Sequence, residues 1–151
     1  MMRAINELKI KAKKKLKSEQ SATEGLTLTD CQQSLAQKAG FSHWHHALEV
    51  LSGEPRNSDC GKLWHHPSCD VLLNLWFANY EEAHAALTKN LDKFLLPYKT
   101  QFVLVTEEYL TLIGLTPQLQ TELRNHGADL TRLGNTRLWD DIALRCIRHK
   151  L

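Results

Sequence analysis

No stretch of this 151-residue chain approaches the roughly 18 consecutive apolar residues of a membrane-spanning helix, so no span is expected. The first residues are charged with no apolar segment behind them. No secretory signal is read there, and a cytoplasmic location is the expectation. Cysteine is sparse, at Cys31, Cys60, Cys69 and Cys146, and in a reducing compartment free thiols are expected rather than a disulfide framework. Catalytic signatures are missing too. The chain has no glycine-rich phosphate loop, no G-x-S-x-G, no H-E-x-x-H and no G-x-x-x-x-G-K. The acidic pairs Glu81-Glu82, Glu107-Glu108 and Asp140-Asp141 fall at expected helix starts, where macrodipole compensation explains them without catalysis. These absences turn the reading toward binding before catalysis.

What is present is an ordinary globular composition, 42% hydrophobic and 24% charged, in a chain long enough to bury ~70% of its unfolded surface without a metal or disulfide. The charge is uneven. Residues 1–20 hold seven cations against Glu7 and Glu19, a net of +5, so the other 131 residues sum to −3. The same segment reads as an amphipathic helix over 2–20, with Ile5, Leu8, Ala12 and Leu16 on a narrow stripe and lysines over most of the rest. Lys9, Lys13, Lys14 and Lys17 are the candidate contacts to phosphates or to an acidic protein, since clustered lysine releases counterions from nucleic acid. The plainer reading is a solvated face, because no aromatic is interleaved for base stacking. A membrane-surface helix is disfavoured by a thin apolar face without Trp or Phe.

Residues 26–51, LTLTDCQQSLAQKAGFSHWHHALEVL, read as two short helices about a turn at Gly40. Thr29 and Ser42 are the expected N-caps, Phe41 and Trp44 the expected filling of the corner, and Gly53 with Pro55 the expected end. Ala36, Gly40 and Ser42 have the spacing of a DNA-reading helix-turn-helix. The second helix, however, offers His43, His45, His46 and Glu49 and none of the Arg, Lys, Asn or Gln that read base edges. The run SLAQKAGFSHWHHAL resembles a short module, patterned L-A-x3-G-F-x2-W, of bacterial accessory and mobile-element proteins, also seen attached to glyoxalase-superfamily-like proteins. LLPYKTQFVLV and LTLIGLTP are similar to parts of an uncharacterised bacterial family. The resemblance implies a bacterial accessory protein in which Gly40, Phe41 and Trp44 are structural, and it carries over no catalytic or metal-binding residue.

Residues 54–69 read as a loop or boundary rich in Gly, Pro and Ser, and they hold Cys60, His65, His66 and Cys69. Zinc takes four N or S ligands, usually as two close pairs, and only His66 and Cys69 have such spacing. Zinc at these four residues, or a Cys/His enzyme built on them, is therefore an alternative to individually packed side chains. A third alternative is a protein–protein module, antitoxin- or immunity-like or a homodimer, docking through the stripe of Ile5, Leu8 and Leu16. Further on, Val71, Leu72, Leu75 and Trp76 fit a helical stripe, although VLLNLWF also fits a buried strand. Asn79 is the expected cap of a helix whose inner face is Ala83, Ala86, Leu87 and Leu91. Gln101–Val105 is β-branched and aromatic enough for a strand, while Pro97 confines its own segment to a sheet edge. Short helices from Thr106 and Thr116-Pro117, and a last one over 138–149 with Trp139, Ile142, Ala143, Cys146 and Ile147 inward, complete the chain. The expectation is a helix-dominated α+β protein: a helical module at 1–53, a boundary at 54–69 and a mixed part with a small sheet at 70–151, or a single domain overall.

Overall fold

The computed structural model describes residues 2–53 and 59–151. Its α-helices are α1 (Arg3–Glu19), α2 (Leu28–Ala39), α3 (Trp44–Leu51), α4 (Tyr80–Lys89), α5 (Glu107–Leu112), α6 (Pro117–Asn125) and α7 (Arg137–Lys150). Its strands are β1 (Leu75–Phe77), β2 (Phe94–Tyr98) and β3 (Gln101–Val105), with 3₁₀ turns at Pro67–Val71 and Leu130–Arg132. The protein is a helix-dominated α+β fold, as its pattern predicts.

β3 is the central strand of an antiparallel sheet ordered β1-β3-β2. Leu104 faces Leu75 on one side and Leu95 on the other. Pro97 lies in β2, an edge strand, where its missing N–H is tolerated. The outer rim of β2 is partly covered, because Leu95 N–H donates to the Ala128 carbonyl at 2.8 Å. α4, capped by Asn79 as expected, packs against all three strands. Its inner face is shorter than the pattern suggests: the helix stops at Lys89, so Leu91 falls past the end and is exposed.

The 71–77 segment is no helix. Cys69 closes a 3₁₀ turn, and only Leu75–Phe77 then pairs with β3. As an edge strand against one neighbour it leaves Val71, Leu73, Leu75 and Trp76 exposed, where a helical stripe would have buried three of these four.

The helical corner forms about Gly40, with two shifts of cap. Thr27, not Thr29, caps α2, in a reciprocal capping box with Asp30. His43, not Ser42, caps α3, its Nδ1 accepting the His46 N–H at 3.0 Å; Ser42 N–H donates instead to His46 Nδ1. Phe41 is buried in the corner and Trp44 half-buried. α3 ends at Leu51 with Gly53 in a left-handed conformation, while Pro55 falls in 54–58, outside the described residues.

α1 lies against both α2 and α7. Ala4, Ile5, Leu8 and Ala12 are buried there, and burial of the two larger side chains contributes about 1.5–3 kcal/mol each. The helix has no side-chain cap of its own. Asp140 of α7 supplies one, its carboxylate accepting Arg3 N–H at 2.8 Å and Ala4 N–H at 3.1 Å. One buried cluster runs from Ala4 to Ile147 and includes Leu63, Trp64 and Cys69, so the helical segment, the irregular 59–69 stretch and the sheet share a core. Among the described residues no helix is long and apolar enough to cross a membrane.

Candidate functional site

With the apolar stripe of α1 buried, its lysines are sorted by what remains beside them. Lys11 lies 3.9 Å from Glu7 and Lys15 3.0 Å from Glu19, both as i,i+4 pairs. Lys9, Lys13, Lys14 and Lys17 are exposed, and among the described residues none has a carboxylate within ion-pair distance. At 100° per residue the four span an arc of about 140° on the side away from the core. Lys9 to Lys17 covers ~12 Å along the axis, a length that faces three to four phosphates of one duplex strand. This face is where periodicity places it.

A second basic surface was not read from the sequence. Arg3, Arg137, Arg145 and Arg148 line a cleft of about 260 Å³ between α6, α7 and the start of α1, together with Gln118, Leu119, Glu122, Asp141 and Leu144. Asp141 serves two of the guanidinium groups, at 3.2 Å from Arg3 and 3.9 Å from Arg137. Arg148 Nε lies 3.4 Å from Glu7, and Arg145 Nε donates to the neutral carbonyl of Gly114 at 2.9 Å. The signal for it was present: residues 137, 141, 145 and 148 fall on one face of a helix, and three of them are arginine.

The four metal candidates enter separate environments. Cys60 N–H donates to Lys99 O at the β2–β3 turn, and burial with Asp59 nearby pushes its thiol up to about 11. His66 caps the 3₁₀ turn, its Nδ1 2.7 Å from Ser68 Oγ. Cys69 is fully buried, and desolvation raises its thiol as well. Burial thus favours the neutral thiol at both positions. Among the described residues no three or more His, Cys, Asp or Glu gather as a ligand set.

His65 is built into a different constellation. Its Nδ1 is 2.7 Å from Tyr109 Oη and its Nε2 3.0 Å from Asp70 Oδ1. Tyr109 is fully buried and its pKa raised by desolvation, so its hydroxyl donates to Nδ1 and the Nε2–H donates to Asp70. Trp76 and Tyr98 stand edge-on to the same ring, and burial lowers the His65 pKa. The relay satisfies a buried phenol and ends on the Asp70 carboxylate, which is exposed.

The exposed apolar side chains on and before β1 are another surface feature: Val71 is 87% and Leu73 91% exposed, with Trp76 at 43%. The stripe expected to dock a partner does not serve that purpose, because Ile5 and Leu8 are buried against this chain's own α2 and α7 and Leu16 packs against the same core. Comparison of the chain with protein-family models, with curated proteins and with solved structures gives no match. The class that fold and surface define is a helix-dominated α+β protein carrying basic surfaces on α1 and α7.

Proposed function

We propose that the chain binds nucleic acid through the solvent face of α1, with Lys9, Lys13, Lys14 and Lys17 contacting phosphates and no base being read. The observation that carries this reading is their exposure without carboxylate partners among the described residues, in a chain whose other 131 residues sum to −3. Lys11 and Lys15, by contrast, already have Glu7 and Glu19 beside them. α1 is part of the core, so the test substitutes side chains and keeps the helix. Binding of short single- and double-stranded DNA is measured at ~50 and ~200 mM salt with the native chain and with Lys9, Lys13, Lys14 and Lys17 all changed to Gln. Four contacts predict a slope of log affinity on log salt near −3 for a single strand, lost in the variant. Salt-independent binding, or equal binding by the variant, overturns the reading. Binding of polyglutamate but not DNA moves the partner to an acidic protein.

A second reading has its own observation. Val71, Leu73, Leu75 and Trp76 offer an apolar strip at the β1 edge of the sheet, which suits a protein–protein contact. Its test is solution mass against concentration, with Leu73→Lys as the variant. A single mass over the whole range removes the homodimer.

A further inference from the structure

The arginine cleft takes no part in the α1 lysine reading, and its four guanidinium groups are only partly neutralised. Arg3 and Arg137 share one carboxylate, Asp141, whose side chain is 17% exposed. Arg148 has one oxygen of Glu7, which also lies near Lys11. Arg145 has only a backbone carbonyl, which accepts from Nε and leaves both terminal nitrogens without a partner among the described residues. Glu122 completes the lining without an ion pair of its own among the described residues. Counting Glu7, four cations face three carboxylates, and Asp141, one turn before Arg145 on α7, is within ion-pair distance of Arg3 and Arg137 but not of Arg145. Asp141 and Leu144 set the floor, since both lie on α7 between Arg137 and Arg145.

We propose that this cleft binds a phosphate group, clamped by the guanidinium groups of Arg145 and Arg148 with Arg3 and Arg137 at its rim. Planar guanidinium forks match the oxygens of phosphate two at a time, which lysine does not do. The size agrees with the chemistry. About 260 Å³ lies under the ~300 Å³ at which sites for whole drug-sized ligands begin, and it suits one charged group with its nearest neighbours. The phosphate has two sources: the backbone of a strand lying along α1, which shares Arg3 with the cleft, or a free phosphorylated small molecule. The arginines alone carry the inference, so it stands or falls apart from the lysine reading.

The test uses the full chain, a double variant Arg137→Gln with Arg148→Gln, and the fourfold Lys→Gln variant. Both substituted arginines are exposed and outside the buried core, so circular dichroism and melting temperature are expected to match the native chain. Inorganic phosphate is titrated while the Nε–Hε signals of Arg145 and Arg148 are followed by NMR, against chloride at matched ionic strength. Saturable shifts in the native chain and the lysine variant, abolished for Arg145 in the arginine variant, are the expected result. A short oligonucleotide is then bound to each form. A salt slope reduced in magnitude by about 1.4 in the arginine variant assigns the phosphate to a strand, at ~0.7 per lost contact. An unchanged slope with the phosphate titration still saturable assigns it to a free phosphorylated molecule. Arginine signals that move no more with phosphate than with chloride, together with an unchanged oligonucleotide slope, overturn the inference and leave the lysine reading untouched. Loss of oligonucleotide binding in neither variant, with a saturable phosphate shift, overturns the lysine reading and keeps the cleft.

Discussion

Gly40 does at one residue what the two-helix corner needs. It ends α2 at φ 107°, and Lys62 N–H donates to its carbonyl at 2.8 Å, so the 59–66 stretch crosses directly over it. A Cβ there would stand 2.7 Å from the Lys62 carbonyl carbon, closer than side-chain carbons come to backbone. Gly40→Ala therefore meets both a strained backbone and a steric clash, and a loss of about 2–4 kcal/mol in urea unfolding is expected. A loss below ~1 kcal/mol would mean that the crossing loop simply moves aside. His65 gives the residue scale its pH dependence. Burial lowers its folded pKa below 6.5, so between those two values the unfolded chain binds more protons and stability rises with pH. The relay's contribution is complete above pH 6.5 and is lost as pH falls through the folded value. Unfolding midpoints measured from pH 7.5 down to 5 are expected to fall, and His65→Gln is expected to flatten that decline. An equally steep decline in the variant would assign the acid sensitivity to another group.

At the level of elements, α1 has a core face and a lysine face that substitution can separate. Leu8→Ala removes a fully buried side chain between α2 and α7 and is expected to cost 2–5 kcal/mol, whereas the four lysine substitutions are expected to leave unfolding within about 1 kcal/mol of native. Asp140→Ala would leave the Arg3 and Ala4 N–H groups without their acceptor, and a loss of roughly 1–3 kcal/mol by thermal unfolding is the expectation. The helices with strong periodicity or a local cap were legible from sequence: α1, the Gly40 corner apart from its two N-caps, the Asn79 and Thr116-Pro117 starts, and the inward face of α7. So were β3 and the edge placement of Pro97. What stayed hidden was made by distant pairing. Leu63 and Trp64 sit in a stretch whose glycine, proline and serine mark a loop, yet both are buried in the shared core. Asp140 looked like compensation for its own helix dipole, and it caps a helix 136 residues away. The lysine face could be read because it is periodic along one helix. The arginine cleft needed α1, α6 and α7 to meet, and only its α7 stripe is visible in the chain.

For the whole molecule, the last helical residue ties together parts that composition would separate. Lys150 Nζ donates to the Lys62 carbonyl at 2.7 Å, with Ala39 O at 3.3 Å and Leu63 O at 3.4 Å, so the end of α7 holds the end of α2 and the crossing stretch at once. Trp64, next along that stretch, stacks at a tilt on Trp139 of α7 with ring centres 4.8 Å apart, and Trp139 Nε1 donates to Val50 O of α3. The amine is partly buried and its pKa lowered by desolvation, but it has carbonyl oxygens around it in place of water. Lys150→Met keeps the length and apolar stem and removes the donors together with the charge. Three carbonyls then lose a partner, and since 59–66 can partly rehydrate, a loss of about 1–3 kcal/mol is expected, or roughly 2–12 °C in melting temperature for a chain of this length. Hydrogen exchange locates the effect. Amides of Lys62 and His65, bonded within this crossing, are expected to exchange faster in Lys150→Met, while the β2–β3 ladder from Phe94–Val105 to Tyr98–Gln101 keeps its protection. Uniform acceleration across both regions would mean that the chain opens only as a single unit, with Lys150 contributing to global stability. Acceleration confined to 59–66 would make that stretch a separately opening segment, held to the core by the C-terminal helix.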